Sequence, residues 1–191
     1  MTNKERFENY VKTYVQRDGV DAFLQDLEEN CFYDAWASTT YHCNHKGGLV
    51  EHTLNVIEYA LKLADTFKSK VSKESIVLCA CGHDTGKAYE YYVNNLLKSG
   101  KVSGSKPKKI NPSLMIKSHA MRSLTIMSKF FTLTESEKVA ILSHDGWYEN
   151  TNREYMLALD ELLYIIHSAD LYVARFVEPV KSYKRGDEID L

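Results

Sequence analysis

At 191 residues, with 44% hydrophobic and 26% charged side chains, the chain has the makeup of one globular domain that can bury a core without disulfides. A net charge of −2 gives no general attraction to nucleic acid or to a membrane surface, and no apolar run nears the ~20 residues a membrane helix needs. The four cysteines, Cys31, Cys43, Cys79 and Cys81, form no CxxC pair, and MTNKERFENY has no apolar secretion segment, so reduced thiols and a cytoplasmic location are expected.

In chain order, residues 4–15 place Phe7, Tyr10, Val11 and Tyr14 at helical spacing, and Asp21 to Glu28 reads as a second, shorter helix with Phe23, Leu24 and Leu27 on one side. Residues 31–48 are aromatic and rich in turn formers, an irregular connection with one helical turn. His42, Cys43 and His45 within it offer too few ligands for a metal site of their own and are expected to line a mouth instead. Gly47-Gly48 precedes a strong helix over 49–67, whose Leu49, Val56, Ala60, Leu63 and Ala64 keep a helical period and share it with His52. Ser72 is the N-cap candidate of the next helix, which runs through Ile76, Val77, Leu78, Ala80 and Cys81 and ends in His83-Asp84, with Gly86 as a stop.

Tyr89, Tyr91 and Tyr92 follow on a helical turn. Residues 94–112 then carry the Gly, Ser, Pro and Lys content of a long loop or short hairpin. From Tyr91 to Thr134 there is no acidic residue, while Lys98, Lys101, Lys106, Lys108, Lys109, Lys117, Arg122 and Lys129 are basic. That segregation reads either as a solvated loop or as a rim attracting a phosphorylated substrate. A helix over 113–130 holds His119. Thr134 and Glu137 form a capping box for a helix whose late residues are His144-Asp145-Gly146. A long apolar helix over 156–176 holds His167 and Asp170, and the tail from 181 is polar and loosely held. The expected architecture is all-α, a single domain over 1–191.

His52, His83, Asp84, His119, His144 and Asp170 all fall on apolar helices, where an ionisable group is costly unless paired or bound to a metal. Six such ligands exceed one zinc site and suit two divalent ions sharing a carboxylate.

The order His52, His83-Asp84, Asp170 resembles the H…HD…D signature of the HD-domain metal-dependent phosphohydrolases. HKGGLVEHTLNV, GHDTGK, KSHAMRS, ILSHDG and HSADLYVA, spread over about residues 45–176, are more specifically similar to the HD domain of bacterial 3′–5′ exoribonucleases that join an OB-fold to it. HD-GYP phosphodiesterases share the HDxGK pattern, but their GYP segment is missing here, and Asp145 stands where the exoribonucleases tend to show a second histidine. The resemblance implies that His52, His83, Asp84 and Asp170 hold one ion. Asp84 would bridge to a second ion held by His119 and His144, and Lys87 would meet the scissile phosphate.

The function so implied is hydrolysis of a nucleotide phosphoester or phosphoanhydride by metal-activated water, with Asp84 and Lys87 catalytic. The ion or ions would be Mn, Fe, Zn, Co, Ni or Mg, with His-rich ligation favouring a transition metal. Lys87, Tyr91 and Trp147 are the candidate substrate contacts; for the aromatics, core packing is the competing role. Alternatives are a 3′–5′ exonuclease using the basic segment 98–109 as a strand groove, and a non-catalytic nucleotide sensor. The expected partner is a phosphorylated small molecule, with nucleic acid as the alternative, no membrane, and self-association left open. His167, three residues before Asp170, is either a partner of that carboxylate or bonded to backbone, and stays outside the ligand set.

Overall fold

The computed structural model describes residues 1–38, 41–88 and 114–178. The described residues form helices and turns with no strand, in keeping with the all-α expectation. No helix among them is long and apolar enough to cross a membrane. The looped segment 94–112, with Tyr91 and the lysines from Lys98 to Lys109, lies outside the described residues, as does the tail from 181.

Helix α1 (Asn3–Tyr14) starts at a capping box between Thr2 and Glu5 and buries Phe7 and Val11. Helix α2 (Val20–Glu29) buries Phe23, Leu24 and Leu27. The irregular connection contains the expected single turn, a 3-10 turn over Phe32–Asp34. Helix α3 (Gly48–Phe67) runs 20 residues and buries His52 together with Leu49, Val56, Ile57 and Ala60. Helix α4 (Lys73–Gly82) is capped by Ser72, whose hydroxyl accepts the Ser75 amide at 3.1 Å. From Ile76 to Gly82 every residue of α4 is buried, which makes it the central helix, packed by α1, α3 and the helices that follow.

Helix α5 (His119–Phe130) is shorter than the 113–130 expected. Ser118 accepts the Met121 amide and sets the start, so residues 114–117 approach as non-helical chain. Helix α6 (Glu135–Leu142) carries the expected capping box. It ends before His144, just as α4 ends before His83-Asp84, so both metal-type motifs sit in the turn beyond a helix rather than on it.

The long helix expected over 156–176 is interrupted. A short α7 (Arg153–Leu157) stops at Leu159, which takes a left-handed φ of 56°, and Asp160 then caps a separate α8 (Glu161–Tyr172) by accepting the Leu163 amide. A π-helical turn over Val173–Val177 follows, and the chain folds back to place Glu178 against α3.

The helix starts are bound together by one buried ion pair that the sequence only half discloses. Glu137 has no exposed side-chain surface; besides closing its capping box it accepts two bonds from the Arg17 guanidinium, at 3.0 and 2.6 Å, and one from the Ser75 hydroxyl at 2.7 Å. Arg17 lies between α1 and α2, and Ser75 in the first turn of α4. A single carboxylate therefore ties three helix junctions. Burial alone would raise its pKa, but the arginine, the Thr134 amide and Ser75 outweigh burial and lower it.

Candidate metal centre

The site gathers where α3, the ends of α4 and α6, the start of α5 and α8 converge. Each element contributes for a local reason. His52 lies one turn before Val56 on the buried face of α3. The turn after α4 swings Asp84 to Lys87 inward, held by Lys87 N–H donating to the Asp84 carbonyl at 2.9 Å. Gly86 is what lets α5 approach: a Cβ there would stand 2.3 Å from the His119 carbonyl oxygen. The contact is locked by Gly86 N–H donating to the Ser123 hydroxyl at 2.9 Å and by Arg122 Nε donating to the Gly86 carbonyl at 3.0 Å. Arg122, grouped with the basic rim by sequence, is buried and also donates to the carbonyls of Ile116 and Lys117. Gly146 takes φ of +60° beyond α6, and a Cβ there would collide with the His167 ring.

Asp84 is the centre, 1% exposed. Its Oδ2 faces Lys87 Nζ at 2.7 Å, His83 Nε2 at 3.4 Å and His52 Nε2 at 3.6 Å. Its Oδ1 faces His119 Nε2 and His144 Nε2, each at 3.4 Å, yet has no hydrogen-bond partner. Asp170 Oδ1 completes the first side at 3.0 Å from His52 Nε2. All six residues singled out from the sequence as ligands are thus brought together around one carboxylate.

The ring nitrogens are oriented by their other partners. His83 Nδ1–H donates to the Ala80 carbonyl and His144 Nδ1–H to the Ile141 carbonyl, both at 2.8 Å, since a carbonyl can only accept. Both rings therefore present Nε2 to the centre. There His83 Nε2 meets His52 Nε2 at 3.4 Å, and His144 Nε2 meets His119 Nε2 at 3.3 Å. Facing imidazole nitrogens beside an unsatisfied carboxylate oxygen form a donor set for cations, one on each side of Asp84. His52, His83 and Asp84 form one group with ligand atoms within 4.8 Å of one another, as do His83, His144 and Asp170, and Asp84, His119 and His144. The residues present fit divalent ions held by nitrogen and oxygen.

Protonation follows from this crowding. Burial favours neutral His52, but its bonds to Asp170 and Glu178 outweigh burial and raise its pKa to about 10. His144 is likewise raised against burial, to about 9, by Asp145 and Asp84. His119 is lowered to about 4 by burial and by the Lys87 charge. Asp84, against burial, is held well below the carboxylate range by Lys87 and His83, and Asp170, also against burial, is lowered chiefly by His52. Lys87 stays firmly charged because Asp84 and Asp170 outweigh its burial.

Asp145, Glu178 and Glu51 were not among the candidates read from the sequence. Asp145, noted only as a departure from the exoribonuclease pattern, puts Oδ2 at 3.3 Å from His119 Nε2 and so adds a carboxylate beside the second group. Glu178 accepts from His52 Nδ1–H at 2.9 Å; a glutamate just past an apolar helix was the available signal. His42 packs on His52 with ring centroids 4.6 Å apart, in line with the mouth expected there, and burial lowers its pKa to about 4. Cys43, His45 and Glu51 bring three further ligand atoms within 4.8 Å, a grouping hidden in sequence because Glu51 belongs to α3. His167 donates from Nδ1 to the His144 carbonyl at 2.8 Å, the backbone-bonded alternative, and so braces the turn that carries His144. Trp147 is half exposed on a 3-10 turn directly after His144-Asp145.

The HD domain family matches residues 49–175, well over half of the chain, and the chain belongs to that family of metal-dependent phosphohydrolases; it is a hydrolase. Among curated proteins it is similar to the dihydroneopterin 2',3'-cyclic phosphate phosphodiesterase of Methanocaldococcus jannaschii, 39% identical over 62 residues. That stretch covers 30% of this chain and 25% of the relative, about a quarter of its length. No solved structure matches the chain.

Proposed function

We propose that the protein hydrolyses a phosphoester of a nucleotide or similar phosphorylated small molecule at a metal centre built on Asp84. One observation carries the reading: a buried carboxylate with an unsatisfied oxygen stands between two pairs of facing imidazole nitrogens. His52, His83 and Asp170 would hold one ion with Asp84, and His119 and His144 a second. A divalent ion bound there supplies a water acidified towards neutral pH and a Lewis acid for phosphoryl oxygens.

The chain's own groups do the rest. Lys87, charged and only 14% exposed in its side chain, directs a point charge at the space around Asp84, where an incoming phosphoryl oxygen would be stabilised. Asp84 and Asp170 stay ionised and offset the charge of the surrounding histidines and lysine. His83 and His144 are held in the tautomer that turns Nε2 inward. Trp147, exposed beside the ligand turn, offers a face on which a base can stack. The similarity to a cyclic phosphate phosphodiesterase supports a phosphodiester within this class. The more specific likeness to exoribonuclease HD domains leaves a nucleic acid strand as the competing substrate.

The test is release of phosphate or nucleoside from a panel of nucleotides, cyclic phosphates and a labelled oligonucleotide with Mn²⁺, Co²⁺, Zn²⁺ and Mg²⁺. His83→Ala and Asp84→Asn are expected to lose activity by ~10²-fold or more while the helical fold is retained, as read by circular dichroism. Full activity in either variant would refute the centre. Activity confined to the oligonucleotide, with binding that weakens steeply with salt, would favour the exonuclease instead.

A further inference from the structure

We propose that Glu178 is a positioning residue for His52, locking the ring so that Nε2 faces the first ion, and thereby makes the segment after α8 part of the metal centre. The proposal rests on the metal-centre reading above. It goes beyond that reading because Glu178 lies outside the family match, which ends at residue 175.

The geometry is a clamp. The His52 ring, fully buried, is held from both edges: Asp170 Oδ1 stands 3.0 Å from Nε2, and Glu178 Oε2 accepts from Nδ1–H at 2.9 Å. Asp170 and Glu178 are eight residues apart. The π-helical turn over Val173–Val177 brings the second carboxylate back to α3, with Glu178 N–H donating to the Val173 carbonyl at 3.0 Å. Glu178 is itself 7% exposed, a burial that a carboxylate tolerates only when well bonded. Its other oxygen accepts from Asn55 Nδ2 at 2.6 Å. Asn55 lies three residues after His52, on the same face of α3, so the carboxylate is aligned by the helix whose histidine it orients.

The contrast with the other ligands gives the clamp its meaning. His83 and His144 are oriented by neutral backbone carbonyls three residues upstream, within their own turns. His52 sits in the second turn of a regular helix, where the carbonyls of the preceding turn are engaged by the helix itself. An outside acceptor must fix its tautomer, and a carboxylate also increases the electron density available at Nε2. Loss of such a partner typically costs about 10–100-fold in metal affinity.

The experiment titrates the metal-free full chain with Co²⁺, following the ligand-field absorption that develops as the ion is bound. A parallel Zn²⁺-loaded sample is observed by NMR for the hydrogen-bonded His52 Nδ1–H. Glu178→Ala is expected to weaken one class of cobalt site by ~10-fold or more and to shift or abolish the His52 signal. Glu178→Gln, which keeps an acceptor and removes the charge, should fall between the two proteins and decides the matter if the alanine variant does not fold. Wild-type affinity, within twofold, and an unmoved His52 signal in Glu178→Gln and in any folded Glu178→Ala would overturn the role of Glu178 while leaving the centre standing. If the wild-type chain itself bound no cobalt, the metal centre would fall, and this proposal with it.

Discussion

A carboxylate buried as deeply as Asp84 is tolerated because Lys87 touches one oxygen and four imidazoles surround the pair. Lys87 neutralises Asp84, and under the proposed function it would also meet substrate charge. Lys87→Met is expected to lower kcat by about 10²-fold while the ion content of the purified protein stays at the wild-type level, a pairing of kinetics with metal analysis that separates substrate stabilisation from ligation. His52, His83, Asp84, His119, His144 and Asp170 were legible in the sequence because each interrupts an otherwise apolar helical pattern. Glu178 and Asp145 were not: one follows the apolar helix and the other follows His144, and neither position marks a site on its own. Their significance comes from which ring nitrogen they face, and only the folded chain decides that.

At the scale of elements, the helix starts with a cap read from the sequence were well encoded, while those at His119 and Glu161 were not. Ser72, Thr134 and Glu137 act through contacts within a single turn, so the caps read from sequence are the caps found. The apolar pattern over 156–176 gave no warning of the break at Leu159, since a short helix and a capped successor can share one apolar face.

Glu137 shows how a local signal can hide a tertiary one. Glu137→Ala is expected to destabilise the protein by ~3 kcal/mol, because Arg17 would lose its buried partner. The sign with pH is fixed: the folded-state pKa is lowered, so this stabilisation is fully present above the ordinary value of 4.5 and is lost as pH falls through the lower, folded value. Urea denaturation of the wild type and of Glu137→Gln should show a gap at pH 7 that narrows on acidification.

Gly86 belongs to the same scale. The sequence offered it as a helix stop, whereas its lack of a side chain is what admits α5 to the site. Gly86→Ala should cost ~1–3 kcal/mol through forced displacement and lower the amount of cobalt bound, read from stoichiometry rather than activity.

Across the whole molecule, the candidate ligands come from α3, the turns after α4 and α6, the first residue of α5, and α8. An ion that binds only when these are assembled stabilises the fold by mass action, by about 2.7 kcal/mol at a free concentration 100 times its Kd. For a chain of this size that corresponds to a rise of roughly 5–10 °C in Tm. Calorimetry with added Mn²⁺ or Co²⁺, against a chelator-treated sample, should show the rise, and His83→Ala should abolish most of it.

The sequence by itself determined the helical class, the caps and the six ligand candidates, because burial periodicity and capping are short-range and each ligand breaks a local apolar rule. The tertiary structure alone decided that these ligands face one carboxylate from two sides, that Arg122 is drawn into backbone bonds, and that Glu178 returns to hold His52. Those facts depend on where distant segments meet, and chain separations of 126 residues between Glu178 and His52 leave no periodic trace.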